Sequence, residues 1–404
     1  MSNVTVEWIE QLGTAGEDDA YDLAIDSSGN IYVTGYTSGA LEGENKGGND
    51  AWIAKYTPTG QQLWLTQLGT VGEDESNGIA IAPDNSVYLL GYTYNLNQEE
   101  SLDREESQIA QTWLAKYSPE GQQEWLKSLT EIHPQIPNSI GIDRQGNIYI
   151  TGYTVPAEGD WEAWLAKYDE TGVRLWWTPL GKYHEEAATT LAIGEEVSPQ
   201  TGRTYINVYV AGNTSMPMTG QGEISHTWIA RYSGEGIQKW IVPLGSAENT
   251  GCNDIAIDPQ GNIYLVGYTE GTMGEKNAGG KDAWVAKYNS SGIQQWVKQL
   301  GSSDDEESTG VAIDREGNIY LAGFTFGDME GTNAGESDAW VAKYSPDGSQ
   351  DWIKQIGTPG EDGCNAIALD AHNNIYITGY TDGAMDGDNA GHYDAWLAKL
   401  IVDS

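Results

Sequence analysis

Short runs in which apolar and polar residues alternate recur along the whole chain, and few apolar stripes of helical length accompany them. The first unit shows four such runs: Asp22–Asp26, Asn30–Thr37, Asp50–Tyr56 and Gln62–Leu68. Tyr, Val, Ile, Thr and Trp dominate them, and Gly, Asn, Asp and Pro punctuate them. A period of two, bounded by turn signals, predicts β-strands, named a, b, c and d within each unit.

The third run repeats most plainly. Asp50–Tyr56 reads Asp-Ala-Trp-Ile-Ala-Lys-Tyr and returns at Asp282–Tyr288, Asp338–Tyr344 and Asp394–Leu400, with looser copies at 112–117, 163–168 and 227–232. Its tryptophans, Trp52, Trp113, Trp164, Trp228, Trp284, Trp340 and Trp396, count seven units. Four short antiparallel strands at a regular period form a propeller blade. The predicted fold is all-β, a single seven-bladed β-propeller occupying residues 1–404. Strand d has its own tryptophan in six units, Trp64, Trp125, Trp176, Trp240, Trp296 and Trp352, and the last unit has none. The missing one is Trp8, near the other terminus. Residues 4–13 are therefore expected to complete the blade that ends near residue 400, closing the ring and removing its open edge.

The repeat also resembles a known family. An acidic-Gly loop, Ile-Ala-Ile-Asp, Gly-Asn-Ile-Tyr-Val-Thr-Gly-Tyr-Thr and Asp-Ala-Trp-Ile-Ala-Lys-Tyr, followed by Gly and Trp, are similar to the bacterial seven-bladed β-propeller repeat called SBBP. Residues 258–300 and 314–356 match it closely. The resemblance covers essentially the whole chain and implies the fold; it implies no particular activity.

Spacing shows where the ring varies. The distance between the c and d tryptophans is constant, as from Trp52 to Trp64 and Trp340 to Trp352. Blade 4 carries an insertion around Glu195–Arg203, and the b–c loops of blades 2, 3 and 4 depart from the common length. Alternating strand direction puts the b–c and d–a loops on one face, here the top. Loops on a rigid scaffold carry binding residues, so the top of blades 2 to 4 is the expected functional sector.

Charge narrows the partners. There are 60 acidic and 20 basic side chains, a formal net charge of -40. Such a surface repels nucleic acid and anionic membrane and suits cations or basic partners. No apolar stretch is long enough to span a membrane, so no membrane insertion is expected. The start, Met1–Trp8, shows no signal-peptide pattern, which makes the cytoplasm the default compartment, while the family resemblance allows an extracellular or cell-surface one. Cys252 and Cys364 share a repeat position that elsewhere holds Ala20, Ser76, Pro137, Ala188 and Ser308. That is a slot for a small residue, and two free thiols are expected. A monomer is expected.

Several side chains are candidates for chemistry. Trp161, in a shortened top loop, could stack on a sugar or anchor a partner. His133, His184 and His226 fall on top loops of blades 3 and 4 and could hold Zn²⁺. The d–a loops carry acids near the axis, Glu17–Asp19, Glu73–Glu75, Glu248, Asp304–Glu307 and Glu361–Asp362, as a carboxylate ring suited to Ca²⁺. Asp386, Asp388 and Asp394 in blade 7 have a Ca²⁺-loop pattern without its last bidentate Glu. The strand-c lysines are expected to pair with strand-end acids such as Asp26, Asp314 and Asp370. Phosphate-cradling and nucleophile-elbow motifs are absent from the sequence. The expectation is a non-catalytic scaffold that binds a protein or glycan through blades 2–4. The alternatives are an enzyme with a metal or acid–base site at the axial mouth, and a purely structural surface protein.

Overall fold

The computed structural model describes residues 4–96, 108–129, 135–154, 160–180, 186–198, 200–217, 223–246 and 248–402. Seven four-stranded antiparallel sheets follow one another as blades around a ring. Blade 1 runs outward as β2 (Asp18–Ile25), β3 (Ile31–Thr37), β4 (Asp50–Tyr56) and β5 (Gln62–Leu68). The last blade comprises β26 (Asp362–Leu369), β27 (Ile375–Thr381), β28 (Asp394–Val402) and, on its outer edge, β1 (Val4–Leu12). β1 pairs with β28 from Val4 opposite Val402 to Leu12 opposite Ala395, so the two ends of the chain share one sheet as the tryptophan count predicted.

The core lies between blades. In strand b a glycine faces the strand-c tryptophan, as Gly35 faces Trp52. A side chain at Gly35 would collide with the Asp19 carbonyl of strand a. The indole lies across that bare backbone, buried, and Trp52 Nε1 donates to the Tyr36 carbonyl at 2.9 Å. Strand a answers with a small residue opposite the same glycine, Cys252 against Gly267 and Cys364 against Gly379. Both cysteines are buried and unbridged.

Strand-d tryptophans join neighbouring blades. Trp64 meets Tyr32 edge-on at 5.9 Å, and its Nε1 donates to the Pro119 carbonyl in the next blade at 3.2 Å. That c–d turn brings Gly121, with φ of 85°, against the indole. The a–b turns form as their Asp-x-x-Gly-Asn pattern predicts: Asp26 Oδ1 accepts from the amides of Ser28 at 2.8 Å and Asn30 at 2.9 Å.

The lysine expectation holds for part of the ring. Lys55 lies 3.7 Å from Asp26, and Lys167 lies 4.0 Å from Asp143. Lys343 pairs instead with Asp351 at 3.4 Å and Lys399 with Glu7 at 2.7 Å, neither with Asp314 or Asp370. The stem is held over the strand-b tyrosine, with Lys55 Nζ 4.8 Å from the Tyr32 ring centre, and the head then takes an acid within reach. In blade 4, Arg231 donates from Nε and Nη2 to Asn207 Oδ1 at 3.0 and 2.8 Å. The insertion there continues the ladder of β14 (Glu186–Val197) and β15 (Thr204–Pro217) on the a–b side, opposite the top.

Candidate functional site

Strand b leaves one residue half-buried near its top end, the residue after the glycine. Around the ring it is Tyr36, Tyr92, Tyr153, Asn213, Tyr268, Phe324 and Tyr380. Opposite it, on the axial strand a, stand Asp19, Glu75, Ile136, Ala187, Gly251, Glu307 and Gly363. The rings of Tyr268 and Tyr380 lie over the bare backbones of Gly251 and Gly363, where any Cβ would strike them. The axial mouth is thus rimmed with aromatic side chains.

Most of these rings have a second aromatic partner. Tyr36 meets Tyr21 at 5.4 Å between ring centres, and Tyr92 meets Tyr94 at 5.1 Å. Phe324 meets Phe326 at 6.0 Å and Tyr380 meets Tyr393 at 5.3 Å. Trp161 stacks on Tyr153 at 5.0 Å and 27° while remaining 45% exposed. Phe326 is 46% exposed. In blade 5 the partner is a cation: Lys281 Nζ lies 4.4 Å from the Tyr268 ring centre and 2.7 Å from Glu307 Oε1.

Below this crown is a well of about 420 Å³, lined by Tyr21, Glu75, Tyr92 and a set of amide and hydroxyl side chains. A bulge interrupts strand a in every blade, as between Ala20 and Asp22, and turns one residue inward. In six blades that residue donates to the next blade's backbone. Asn77 reaches the Pro137 carbonyl at 3.0 Å, Asn138 that of Ala188 at 2.8 Å, and Thr189 that of Cys252 at 2.9 Å. Asn253 reaches Ser308 at 3.0 Å, Thr309 reaches Cys364 at 2.6 Å, and Asn365 reaches Ala20 at 3.1 Å. Blade 1 has Tyr21 in this position, turned onto Tyr36.

The expected carboxylate ring is only partly formed, because most of its acids are used inside the loops. Asp18 Oδ2 accepts from the Thr14 amide and hydroxyl at 2.6 and 2.8 Å, and Asp74 does the same for Thr70. Glu306 and Asp362 hold Ser302 and Thr358 in the same way. Asp19, Glu75 and Glu307 occupy the axial register. Asp19 Oδ1 accepts from Asn365 Nδ2 at 2.9 Å. Glu75 accepts from the Tyr92 hydroxyl at 2.6 Å and from Asn49 Nδ2 at 3.1 Å. Glu307 has Lys281, whereas Asp19 and Glu75 form no ion pair among the described residues. Burial pushes the Asp19 carboxyl up to about 7, and the charge of Glu75 adds to the effect. Burial and then Glu75 also raise the Tyr92 phenol.

Of the residues singled out from sequence, Trp161 belongs to the crown. His226 is half-buried in β16 (Glu223–Ser233), opposite Thr214. His133 and His184 lie outside the described residues, as does most of the blade 2 loop. Asp394 is buried: its Oδ2 accepts from Gln11 Nε2 at 2.8 Å and the Ala390 amide at 2.9 Å, and its Oδ1 meets no donor. Asp50, Asp282 and Asp338 hold Gln67, Gln299 and Gln355 the same way, each at 2.9 Å. Asp386 and Asp388 point to solvent. Among the described residues no three His, Cys, Asp or Glu side chains are grouped to hold a metal. Sequence reasoning missed the crown itself. Its signal is the Tyr of each Gly-Tyr-Thr, which reads as an ordinary strand former until the ring shows which way it faces.

The SBBP β-propeller repeat matches residues 7–41, 129–154, 239–272, 295–328 and 351–384. Four of the matches begin in strand d and the one at 129–154 just after it; all run through the next blade's strand b, and they leave out the strands of blade 2 and most of blade 4. A WD repeat-containing protein of Acanthamoeba polyphaga mimivirus is 21% identical, covering 100% of this chain and 38% of its own length. The regulatory protein FlaEY of Caulobacter vibrioides is 22% identical over 83% of this chain and 40% of its own. The chain thus spans about two-fifths of the length of these relatives. Among solved structures, the N-terminal part of BBS1 in complex with ARL6 covers 98% of this chain and 96% of its own at 9% identity and a TM-score of 0.51, a likeness of fold. Five stretches of the chain thus match the SBBP β-propeller repeat, and the chain folds as a β-propeller of seven four-stranded blades, its ring closed by the N-terminal strand.

Proposed function

We propose that this protein is a non-catalytic binding scaffold that engages a protein partner at the top face, with the aromatic crown as the contact surface. One observation carries the reading: paired, partly exposed aromatic side chains surround an acid-lined well. Such side chains are the usual anchors of protein recognition, and the charge of -40 favours a basic segment in the partner. Tyr94 and Trp161 place part of the crown in the divergent blades 2 and 3. His226 lies on the same sector, and a glycan stacking on Trp161 is the competing ligand. The BBS1 propeller, solved with ARL6, supports the idea that this architecture takes protein partners.

The test compares wild type with Trp161→Ala and Phe326→Ala in capture of partners from the native host. Loss of an anchor of this kind is expected to weaken capture by roughly thirtyfold, about 2 kcal/mol. Unchanged capture by the double variant, with an unchanged melt, would count decisively against the crown.

A second reading has one observation in its favour. Asp19, raised to about 7 beside Glu75, has the properties of a general acid–base pair at the mouth. Turnover of any substrate that Asp19→Asn abolishes would establish it.

A further inference from the structure

Two seams between blades lack a cation that a third supplies. At the seam of blades 5 and 6, three residues meet at the mouth: Tyr268, Glu307 and Lys281. The ammonium of Lys281 sits 4.4 Å from the ring centre and 2.7 Å from the carboxylate. At the seam of blades 1 and 2 the same repeat positions hold Tyr36, Glu75 and Asn49. The aromatic face and the acid are kept, and the cation is missing. Asn49 is too short to replace it and only donates to Glu75 Oε1 at 3.1 Å. At the seam of blades 7 and 1 the positions hold Tyr380, Asp19 and Tyr393, again an acid and an aromatic face without a lysine. Tyr21 stands between these two seams, tilted at 51° to Tyr36, so the two rings form a corner.

We infer that the blade 1 side of the axial mouth, where Tyr21, Tyr92 and Glu75 line the well and Tyr36 and its register partner Asp19 stand beside Tyr21, is a cage for an alkylammonium cation carried by a ligand. The cation takes the place that Lys281 fills by itself across the ring. Aromatic faces attract a cation through their quadrupole, most strongly where water is excluded, and two carboxylates add the charge. The raised Asp19 carboxyl and the Tyr21 and Tyr36 phenols, both pushed up first by burial and then by Asp19, agree with acids short of a counter-charge. Other ligand classes fit less well. The Nδ2 groups of Asn77 and Asn365, the amides nearest this corner, already donate to backbone carbonyls of the next blade, and that of Asn365 also to Asp19, so this corner offers a sugar acceptors more than donors. Phenyl faces do not ligate a hard metal ion, which wants oxygens.

The inference rests on the mouth being a binding site, and its test is separate from that of the scaffold. It uses blades 1 and 2, whereas the scaffold test uses Trp161 and Phe326 on blades 3 and 6. Calorimetric titration of the full chain with tetramethylammonium chloride, against sodium chloride at equal ionic strength, is the direct measurement. Saturable heat is expected with the first salt alone. Asn49→Lys should install the internal cation and weaken binding by about tenfold or more. Glu75→Gln, which keeps an acceptor for Tyr92, should weaken it similarly and stands in if Asn49→Lys melts abnormally. Choline and a peptide carrying trimethyl-lysine separate the two sources of such a cation: tighter binding of the peptide assigns a protein ligand, and tighter binding of choline a small molecule. No saturable heat with any probe, or full binding by a folded Asn49→Lys, overturns the cage.

Discussion

At the scale of single residues, the repeat is held by positions that allow only one size. Gly267 has the Cys252 backbone behind it, the Gly251 carbonyl beside it and Trp284 opposite it. A methyl there has nowhere to go, since both strands are fixed by ladder hydrogen bonds. Gly267→Ala is expected to cost more than about 3 kcal/mol, read from the midpoint of urea denaturation. Gly, Trp and the small residue of strand a were all legible in the sequence, because each recurs in every unit and each obeys a local steric rule. The tyrosine after the glycine recurs just as well, yet its role was not legible. Whether it faces core or axis depends on the neighbouring strand, which sequence spacing does not place.

Elements show the same division. The pairing of β1 with β28 was predictable from a missing tryptophan, since a blade without its strand-d indole leaves an open edge. How β1 is fastened was not. Gln11 inserts its amide between Asp394 Oδ2 and the Gly383 carbonyl, at 2.8 and 3.1 Å, while its own oxygen accepts from the Met385 amide at 2.9 Å. Asp394, which by sequence looked like a metal ligand, is thereby a strand fastener. Gln11→Ala would leave a buried carboxylate without its main donor. A loss of about 1–3 kcal/mol is expected, with the melt remaining cooperative. The same substitution at Gln299 should cost as much, because Asp282 is held in the same way.

For the whole molecule, charge decides the response to pH. Burial raises Asp19 and Asp22 to about 7 and Asp254 to about 6. In the unfolded chain these carboxyls lose their proton near pH ~4. Between those values the folded state binds more protons, so their contribution to stability is full below pH ~4 and is lost as pH rises toward about 7. The excess of acids acts in the same direction through self-repulsion. Melting temperature is therefore expected to be higher at pH 5 than at pH 8. Asp19→Asn should flatten the difference while keeping an acceptor for Asn365. A melt that rises with pH across this range would contradict the assignment.

The sequence by itself determined the number of blades, the strands of each, the closing strand and the acidic surface. Those follow from periodicity, steric size and charge, which are local properties repeated seven times. Only the tertiary structure decided which acids face the axis. Asp18, Asp74, Glu306 and Asp362 turn into their loops, while Glu75, the chain neighbour of Asp74, lines the well, and Asp19, the neighbour of Asp18, turns to Asn365 at its wall. Alternation along a strand sends adjacent side chains to opposite faces, and the bulge of strand a resets that alternation at the axis. Lys281 and Asn49 become comparable only after the ring has closed, because the acids they face, Glu307 and Glu75, belong to the following blade.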